Sequence, residues 1–178
     1  MSRIPLPVDQ DIPEASWPVL KAIEKQLGFI PNMHRALSLS PAVLNGVSGL
    51  GTALSRTLDA ITKHGIAHAV TEVNGCSYCK AIHTFTATNF GRIPAEEIEL
   101  FQQGRASDPK RSAAVAFAKK VIETHGKVSD ADLDAVRKVG YKDSQILEIV
   151  ALTVQFSMTN FLNNVMDTDI DIPEPSAT

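Results

Sequence analysis

A repeated pattern of helix starts and stops is the feature that most constrains the fold of this chain. Ser40-Pro41 and Asp108-Pro109 each place a capping side chain before a proline, which is a favoured helix start. Glycine follows several segments of helical apolar periodicity, as at Gly28 and Gly140, and acts there as a stop signal. No segment alternates apolar and polar residues between hairpin turns. The sequence therefore predicts an all-α fold.

Nine helices are predicted between these signals. Their approximate ranges are 16–27, 32–37, 40–56, 62–73, 76–90, 94–104, 108–124, 129–140 and 143–166. Thr62 is the expected cap of the fourth helix, and Ser129 with Asp132 predicts a capping box at the start of the eighth. The proline-containing ends, 1–13 and 172–178, are interpreted as arms.

Composition limits the class of protein. A chain of 178 residues with 44% hydrophobic residues is expected to fold as one domain over 1–178, and it is not disordered. Two cysteines are too few for a disulfide-stapled scaffold. Seventeen basic and twenty acidic residues give a net charge of −3 without a basic block, so we expect no nucleic-acid partner. The N-terminus lacks the apolar stretch of a signal peptide, and no uninterrupted run is long enough to span a membrane. We expect a soluble cytoplasmic protein.

The last predicted helix is apolar around most of its circumference, which is typical of a buried helix. It is either the central core helix of a monomer or a helix that another subunit covers. Gln155, Asn160 and Asn164 lie on this helix, and because buried amides need partners, they either line a pocket or are satisfied within the core or an interface.

The segment from His64 to His83 contains the candidate catalytic residues. Cys76 and Cys79 form a C-x-x-C pair near a predicted helix start, where one helical turn brings both sulfurs to one side and within reach of a disulfide. Free N–H groups at a helix N-terminus stabilise a thiolate, which is the reactive form of cysteine. The partner thiol can resolve an oxidised sulfur. The pattern indicates redox chemistry.

Histidines and one acid surround this pair in the sequence. His83 lies four residues after Cys79, on the same predicted helix face, and can exchange a proton with the thiol. On the preceding helix, His64, His68 and Glu72 form a stripe that points along the helix toward the cysteines. We therefore predict Cys79, Cys76, His83, His64, Glu72 and His68 as the catalytic residues, with no cofactor.

Two other interpretations of these residues stay open. The cysteines could be buried and inert. Alternatively, Cys76, Cys79 and His83 could bind a metal together with His64 or His68, although the long gap between ligand pairs that is usual for zinc is missing. We favour the redox interpretation over the metal site.

The sequence from Asn74 to Thr84, N-G-C-S-Y-C-K-A-I-H-T, resembles the core motif of the alkylhydroperoxidase D-like branch of the carboxymuconolactone decarboxylase superfamily. The segments 28–32 and 40–44 are similar to the N-terminal half of its peroxidase-related members, and 160–164 with 169–173 to their C-terminal end. The resemblance implies an all-α helical bundle that assembles as a homo-oligomer, with trimers or hexamers known in the family.

The same resemblance implies a cysteine-dependent peroxidase. By motif position, Cys79 attacks the hydroperoxide, Cys76 resolves the product and exchanges with a thiol or dithiol protein reductant, and His83 belongs to the proton relay. The chain departs from the family at His64, where the relay glutamate is expected, and at Tyr78, which replaces a histidine of the antioxidant enzyme. Glu72 is our own candidate for the missing carboxylate.

Two further functions remain as alternatives. A thiol–disulfide redox or sensor protein would keep the disulfide and exchange electrons with another protein without turning over peroxide. A lactone decarboxylase is suggested by the superfamily name alone, and its chemistry does not require the C-x-x-C pair.

Overall fold

A computed structural model describes residues 2–173. Within that range it contains nine α-helices, preceded by two short 3₁₀ turns at Asp9–Asp11 and Glu14–Ser16, and no strand. The all-α prediction is therefore confirmed. The helices are α1 Trp17–Leu27, α2 Asn32–Leu37, α3 Pro41–Leu54, α4 Ala60–Asn74, α5 Ser77–Asn89, α6 Ala95–Gln102, α7 Pro109–Glu123, α8 Asp130–Lys138 and α9 Asp143–Met166.

Helix boundaries follow the local capping chemistry, with one correction to the prediction. The cap of α4 is Asp59, whose Oδ1 accepts a hydrogen bond of 2.9 Å from the backbone N–H of Thr62. Thr62 lies inside the first turn, and its hydroxyl donates to the other Asp59 oxygen. The prediction of Thr62 as the cap was wrong because the acid three residues earlier takes the free N–H. The capping box of Ser129 and Asp132 is present.

Helix α4 is the centre of the fold, and α5, α6, α7 and α9 all pack against it. Ile66 and Val70 of α4 are fully buried, together with Ile149 and Leu152 of α9 and residues of α7 and α8. A second apolar cluster joins the N-terminal segments to the start of α5, and it contains both cysteines. Both cysteines are thus buried in the protein interior.

Helix α9 has two different faces. One face packs against α3, α4, α5 and α7, and includes the buried polar residues Asn160 and Asn163. The opposite face leaves four large apolar side chains exposed: Leu147, Val154, Phe161 and Val165. An apolar groove of about 650 Å³ runs beside this face, between α7 and α9. The helix is long and apolar enough to cross a membrane by length and composition alone, a test that soluble core helices also pass.

The predicted arms are only partly independent of the bundle. Ile12 of the N-terminal arm is buried in the second apolar cluster. After α9, residues 167–173 run back toward the start of α5, where Asp169 Oδ2 accepts hydrogen bonds from Ser2. The remainder of the predicted C-terminal arm, 174–178, lies outside the described residues.

Candidate redox site

The two cysteines lie at the turn between α4 and α5 and are joined by a disulfide. Gly75 ends α4 in the left-handed conformation, with φ of 62°, which turns the chain sharply into the next helix. Cys76 is then the N-terminal cap of α5, and its Sγ accepts the backbone N–H of Cys79 at 3.2 Å. This local geometry brings the Cα atoms to 5.2 Å, within the usual range for a disulfide.

Asn163 of α9 holds the second sulfur. Its Nδ2 lies 3.3 Å from Cys79 Sγ and also donates to the backbone oxygen of Thr159 at 2.9 Å. The carbonyl of Thr159 can only accept, so it fixes which end of the amide is nitrogen. The other end, Oδ1, is buried and has no hydrogen-bond partner. The sequence resemblance included Asn163, but the spacing in the sequence did not single it out as a sulfur ligand.

A polar cavity of about 480 Å³ opens beside the disulfide. Cys76 lines it, whereas Cys79 does not. The other lining residues come from the start of α5, the end of α9 and the segment that follows α9: Gly75, Ser77, Tyr78, Asn163, Asn164, Asp167, Thr168, Asp169 and Ile170. Of the two cysteines, Cys76 is therefore the one that borders this cavity.

Three histidine rings from α4 and α5 form a group farther along α5 than Cys79. The ring of His83 lies 6.1 Å from the ring of His68 and 5.3 Å from the ring of Phe156, both measured between centroids. His68 is 1% exposed, stacks against Phe101 at 6.4 Å, and has no hydrogen-bond partner for either ring nitrogen. His64 is close enough to both rings to lower the pKa of His68 and of His83. The structure thus brings all three predicted histidines together.

Burial keeps these histidines neutral at physiological pH. Loss of hydration first, and then the neighbouring rings of His68 and His64, lower the pKa of His83 to about 3. Burial lowers the pKa of His68 to about 4, and the neighbouring ring of His64 acts in the same direction. Burial, and then Lys63, also lowers the pKa of His64. A neutral ring has a free nitrogen that can accept a proton.

Glu72 is not brought to this group. It is exposed, and its carboxylate accepts a hydrogen bond of 3.1 Å from Lys80. The reason is helical geometry: each step of four residues rotates the side chain by about 40°, so the stripe from His64 turns outward by Glu72. The proposed substitute for the family glutamate therefore forms a surface ion pair in this structure.

Tyr78, the residue in place of the family histidine, is 3% exposed and fastens the segment after α9 to the site. Its hydroxyl donates to Asp171 Oδ1 at 2.9 Å and accepts the backbone N–H of Met33 at 3.2 Å. The second oxygen of Asp171 accepts the backbone N–H of Asn32 at 2.8 Å. Burial raises the pKa of Tyr78, so the hydroxyl stays protonated. Tyr78 therefore has a binding partner on each side and serves a structural role here.

Amide side chains tie the end of α4 to α9. Asn74 donates to Asn160 Oδ1 at 2.9 Å, and Asn160 donates to the hydroxyl of Thr71 at 3.2 Å. Asn164 donates to the backbone oxygen of Asn74 at 2.9 Å and also lines the cavity. Asn160 is thus a satisfied core amide, while Asn164 borders the pocket. The side-chain oxygen of Gln155, Oε1, is buried and has no hydrogen-bond partner.

A metal site is not assembled in this region. Within residues 2–173, no group of three or more histidine, cysteine, aspartate or glutamate side chains is arranged to hold a metal ion. The two cysteines are bonded to each other, and the rings of His68 and His83 lie against the rings of Phe101 and Phe156.

Comparison with known proteins identifies the fold. The chain matches no protein-family model and no curated protein. Among solved structures, it is similar to an uncharacterized peroxidase-related protein with an alkylhydroperoxidase AhpD core from Ralstonia eutropha JMP134, with a TM-score of 0.85 and 23% identity. The match covers 96% of this chain and 92% of that one. A peroxidase-related protein from Silicibacter sp. TM1040 gives a TM-score of 0.80 at 21% identity, covering 94% and 89% of the two chains.

A third similar structure has a different named activity. The debrominase Bmp8 matches with a TM-score of 0.79 and 22% identity, over 95% of this chain and 92% of that chain. A cysteine-to-alanine variant of Bmp8 has been solved in complex with 2,3,4-tribromopyrrole. The fold of this protein is therefore the alkylhydroperoxidase D-like fold. That fold is shared by uncharacterized peroxidase-related proteins and by the debrominase Bmp8.

Proposed function

We propose that this protein is a cysteine-dependent peroxidase that reduces hydroperoxides through a dithiol–disulfide cycle of Cys76 and Cys79. The observation that carries the proposal is the disulfide at the first turn of α5, with Cys76 bordering a polar cavity and the sulfur of Cys79 hydrogen-bonded to Asn163. Inert core cysteines would need neither the cavity nor the amide donor.

The cycle balances as follows. The Cys79 thiolate attacks the terminal oxygen of the hydroperoxide, the O–O bond breaks, and the alkoxide leaves and takes up a proton. Cys79 is then a sulfenic acid. Cys76 attacks its sulfur, water leaves, and the disulfide closes. Two electrons pass from the sulfur pair to the peroxide, and a thiol reductant returns them.

The three neighbouring histidines are the proposed proton relay. His83 follows Cys79 by one turn of α5, and its neutral ring accepts the thiol proton. The ring of His68, at 6.1 Å between centroids, and then His64 are the next acceptors.

The decisive experiment is single-turnover mixing of the reduced protein with an organic hydroperoxide. The wild type should consume about one equivalent and form the disulfide. The matched variants Cys76→Ser and Cys79→Ser separate the roles: the first should still react and stop at the sulfenic acid, and the second should not react. Equal peroxide consumption by wild type and Cys79→Ser would rule out the mechanism.

A thiol–disulfide exchange or sensor protein is the second candidate. One observation favours it: Cys76 lines the cavity, whereas Cys79, the cysteine that would attack the peroxide, does not. This function predicts rapid exchange with a dithiol and negligible peroxide consumption in the same experiment. A further arm with 2,3,4-tribromopyrrole tests the debrominase activity named for Bmp8, through release of bromide.

The proposal includes partners and location. The substrate is a hydroperoxide, the reductant is a thiol or dithiol protein, and the reducing cytoplasm is the compartment in which such a disulfide can cycle. A homo-oligomer is also proposed, because four large apolar side chains of α9 are exposed beside an apolar groove. Sedimentation velocity tests the oligomer, and a monomer at all concentrations would contradict it.

A further inference from the structure

The cavity beside the disulfide contains two polar atoms that the protein itself leaves unsatisfied. Oδ1 of Asn163 and Oγ1 of Thr168 are both buried without a hydrogen-bond partner, and both residues line the cavity. Asn163 is 2% exposed and Thr168 is 8% exposed. Leaving a buried polar atom unpaired costs about 1–3 kcal/mol, so these two atoms indicate that the cavity accommodates a polar ligand.

The chemistry of these atoms selects the ligand. The amide oxygen of Asn163 can only accept a hydrogen bond, and the hydroxyl of Thr168 can also accept one. A ligand that satisfies both must carry at least one donor, because the Asn163 oxygen cannot donate. A thiolate alone has none, and neither does a carboxylate.

The charged residues around the cavity also favour a ligand that carries donors. Two carboxylates line it, those of Asp167 and Asp169, and no lysine or arginine does. Asp169 is engaged by Ser2, while Asp167 is exposed at the end of α9. The exposed carboxylate of Asp167 therefore attracts cations to the cavity and repels anions as they approach.

We propose that this cavity binds the reducing thiol, and that the thiol it takes carries an amine or amide N–H near its sulfur. The inference rests on the proposed redox function and names the chemical class of the electron donor. The N–H groups bind Asn163 and Thr168, Asp167 favours a positive charge, and the sulfur faces Cys76.

The exchange step balances without another reactant. The incoming thiolate attacks Cys76 Sγ, the bond to Cys79 breaks, and the electron pair leaves on the Cys79 sulfur, next to Asn163 Nδ2. A second thiolate then attacks the outer sulfur of the mixed disulfide and releases Cys76. Both cysteine thiolates take up protons, and the two donor thiols leave as a disulfide.

The test measures reduction of the oxidised protein by three small thiols of similar size and different charge: cysteamine, 2-mercaptoethanol and 3-mercaptopropionate. Rate constants are corrected for the thiolate fraction of each reagent. We expect cysteamine to react about tenfold faster than 3-mercaptopropionate, with 2-mercaptoethanol between them, and the difference to shrink at high salt. Equal corrected rates, or a preference for the anionic thiol, would overturn the proposal.

Two variants locate the preference in the cavity. Asp167→Asn removes the charge and keeps a residue that tolerates the φ of 50° at this position, so the ratio of the cysteamine rate to the 3-mercaptopropionate rate should fall about threefold. Thr168→Val removes an acceptor with little change of shape, so the ratio of the cysteamine rate to the 2-mercaptoethanol rate should fall. Asp134→Asn makes the same charge change on α8 and should leave both ratios unchanged. Unchanged ratios in both cavity variants would contradict the assignment.

The readout separates this inference from the peroxidase proposal, because no peroxide is present. If cysteamine reacts fastest and 3-mercaptopropionate slowest, and the protein does not turn over peroxide, the result would support the cavity assignment and contradict the peroxidase proposal. Peroxide turnover with equal thiol rates would support the peroxidase and overturn the cavity assignment.

Discussion

The side-chain nitrogen of Asn163 lies 3.3 Å from the Sγ of Cys79 and links α9 to the first turn of α5. The same nitrogen donates to the backbone oxygen of Thr159, which fixes the amide in place. Hydrogen bonds to charged groups are about twice as strong as those between neutral groups. The contact should therefore strengthen when the disulfide opens and Cys79 becomes a thiolate.

The first prediction follows from that contact. Asn163→Leu keeps the approximate size of the side chain and removes the donor, so it should raise the pKa of the Cys79 thiol. We expect reduction of the disulfide to slow by about tenfold, since a hydrogen bond to a charged group contributes about 1.5–3 kcal/mol. Ultraviolet thiolate absorbance as a function of pH measures the first effect, and stopped-flow reduction the second.

Asn164→Leu is the matched control. This neighbouring asparagine is exposed and donates to the backbone oxygen of Asn74 instead of to a sulfur. It should leave the titration of Cys79 unchanged. An equal shift in both variants would assign the effect to general disturbance of α9 and not to the sulfur contact.

The second prediction concerns pH and stability. The pKa of His68 falls from 6.5 to about 4 on folding, so the unfolded chain binds more protons between these values. Its contribution to the free energy of unfolding is present above pH 6.5 and is lost as the pH falls toward 4. At pH 5 the loss from this one group is about 2 kcal/mol. His83 acts in the same direction.

His68→Phe should flatten this pH dependence, because phenylalanine does not titrate and fits beside Phe101. The measurement is urea unfolding between pH 7 and 4.5. His125→Asn is the control: His125 is exposed, and asparagine tolerates its φ of 53°. If the two variants showed the same slope as the wild type, buried His68 would not be the titrating group.

The helices could be predicted because their signals are local. Proline after a capping residue and glycine after an apolar stripe act within one turn, and the predicted helix 143–166 matches α9. The prediction of Thr62 as a cap failed because two residues, Asp59 and Thr62, both have capping side chains. The choice between them depends on which one accepts the free N–H, and sequence spacing alone does not decide that.

The candidate site could be predicted only where its members share a helix or adjacent helices. Cys76, Cys79 and His83 follow from spacing along α5. Asn163 and Thr168 could not be found this way, because α9 and the segment after it reach the cysteines through tertiary packing. The buried face of α9 does carry a signal, since Phe156 and Asn163 lie two helical turns apart on it. Phe156 contacts the ring of His83, and Asn163 contacts the sulfur of Cys79.

The third prediction concerns Tyr78. Tyr78→Phe removes the acceptor of the buried Met33 N–H and the donor to Asp171. We expect a loss of about 1–3 kcal/mol in the free energy of unfolding, because a buried donor stays unpaired. The segment after α9 should also become more sensitive to proteolysis. A double-mutant cycle with Asp171→Ala should give a coupling energy clearly above zero, and simple additivity would contradict the contact.

The fourth prediction compares two glycines within helices. A Cβ at Gly65 of α4 would lie 2.6 Å from Val115 Cγ2 and 3.2 Å from the ring of Phe101, both of which are fully buried. Gly65→Ala should therefore destabilise the protein by about 1–3 kcal/mol, because the packed side chains must move. At Gly46 of α3 a Cβ would meet nothing within 4 Å. Gly46→Ala should instead stabilise by up to about 1 kcal/mol, through helix propensity alone. Thermal and urea unfolding of the pair measure the difference, and a stable Gly65→Ala protein would contradict the close approach of α4 to α6 and α7.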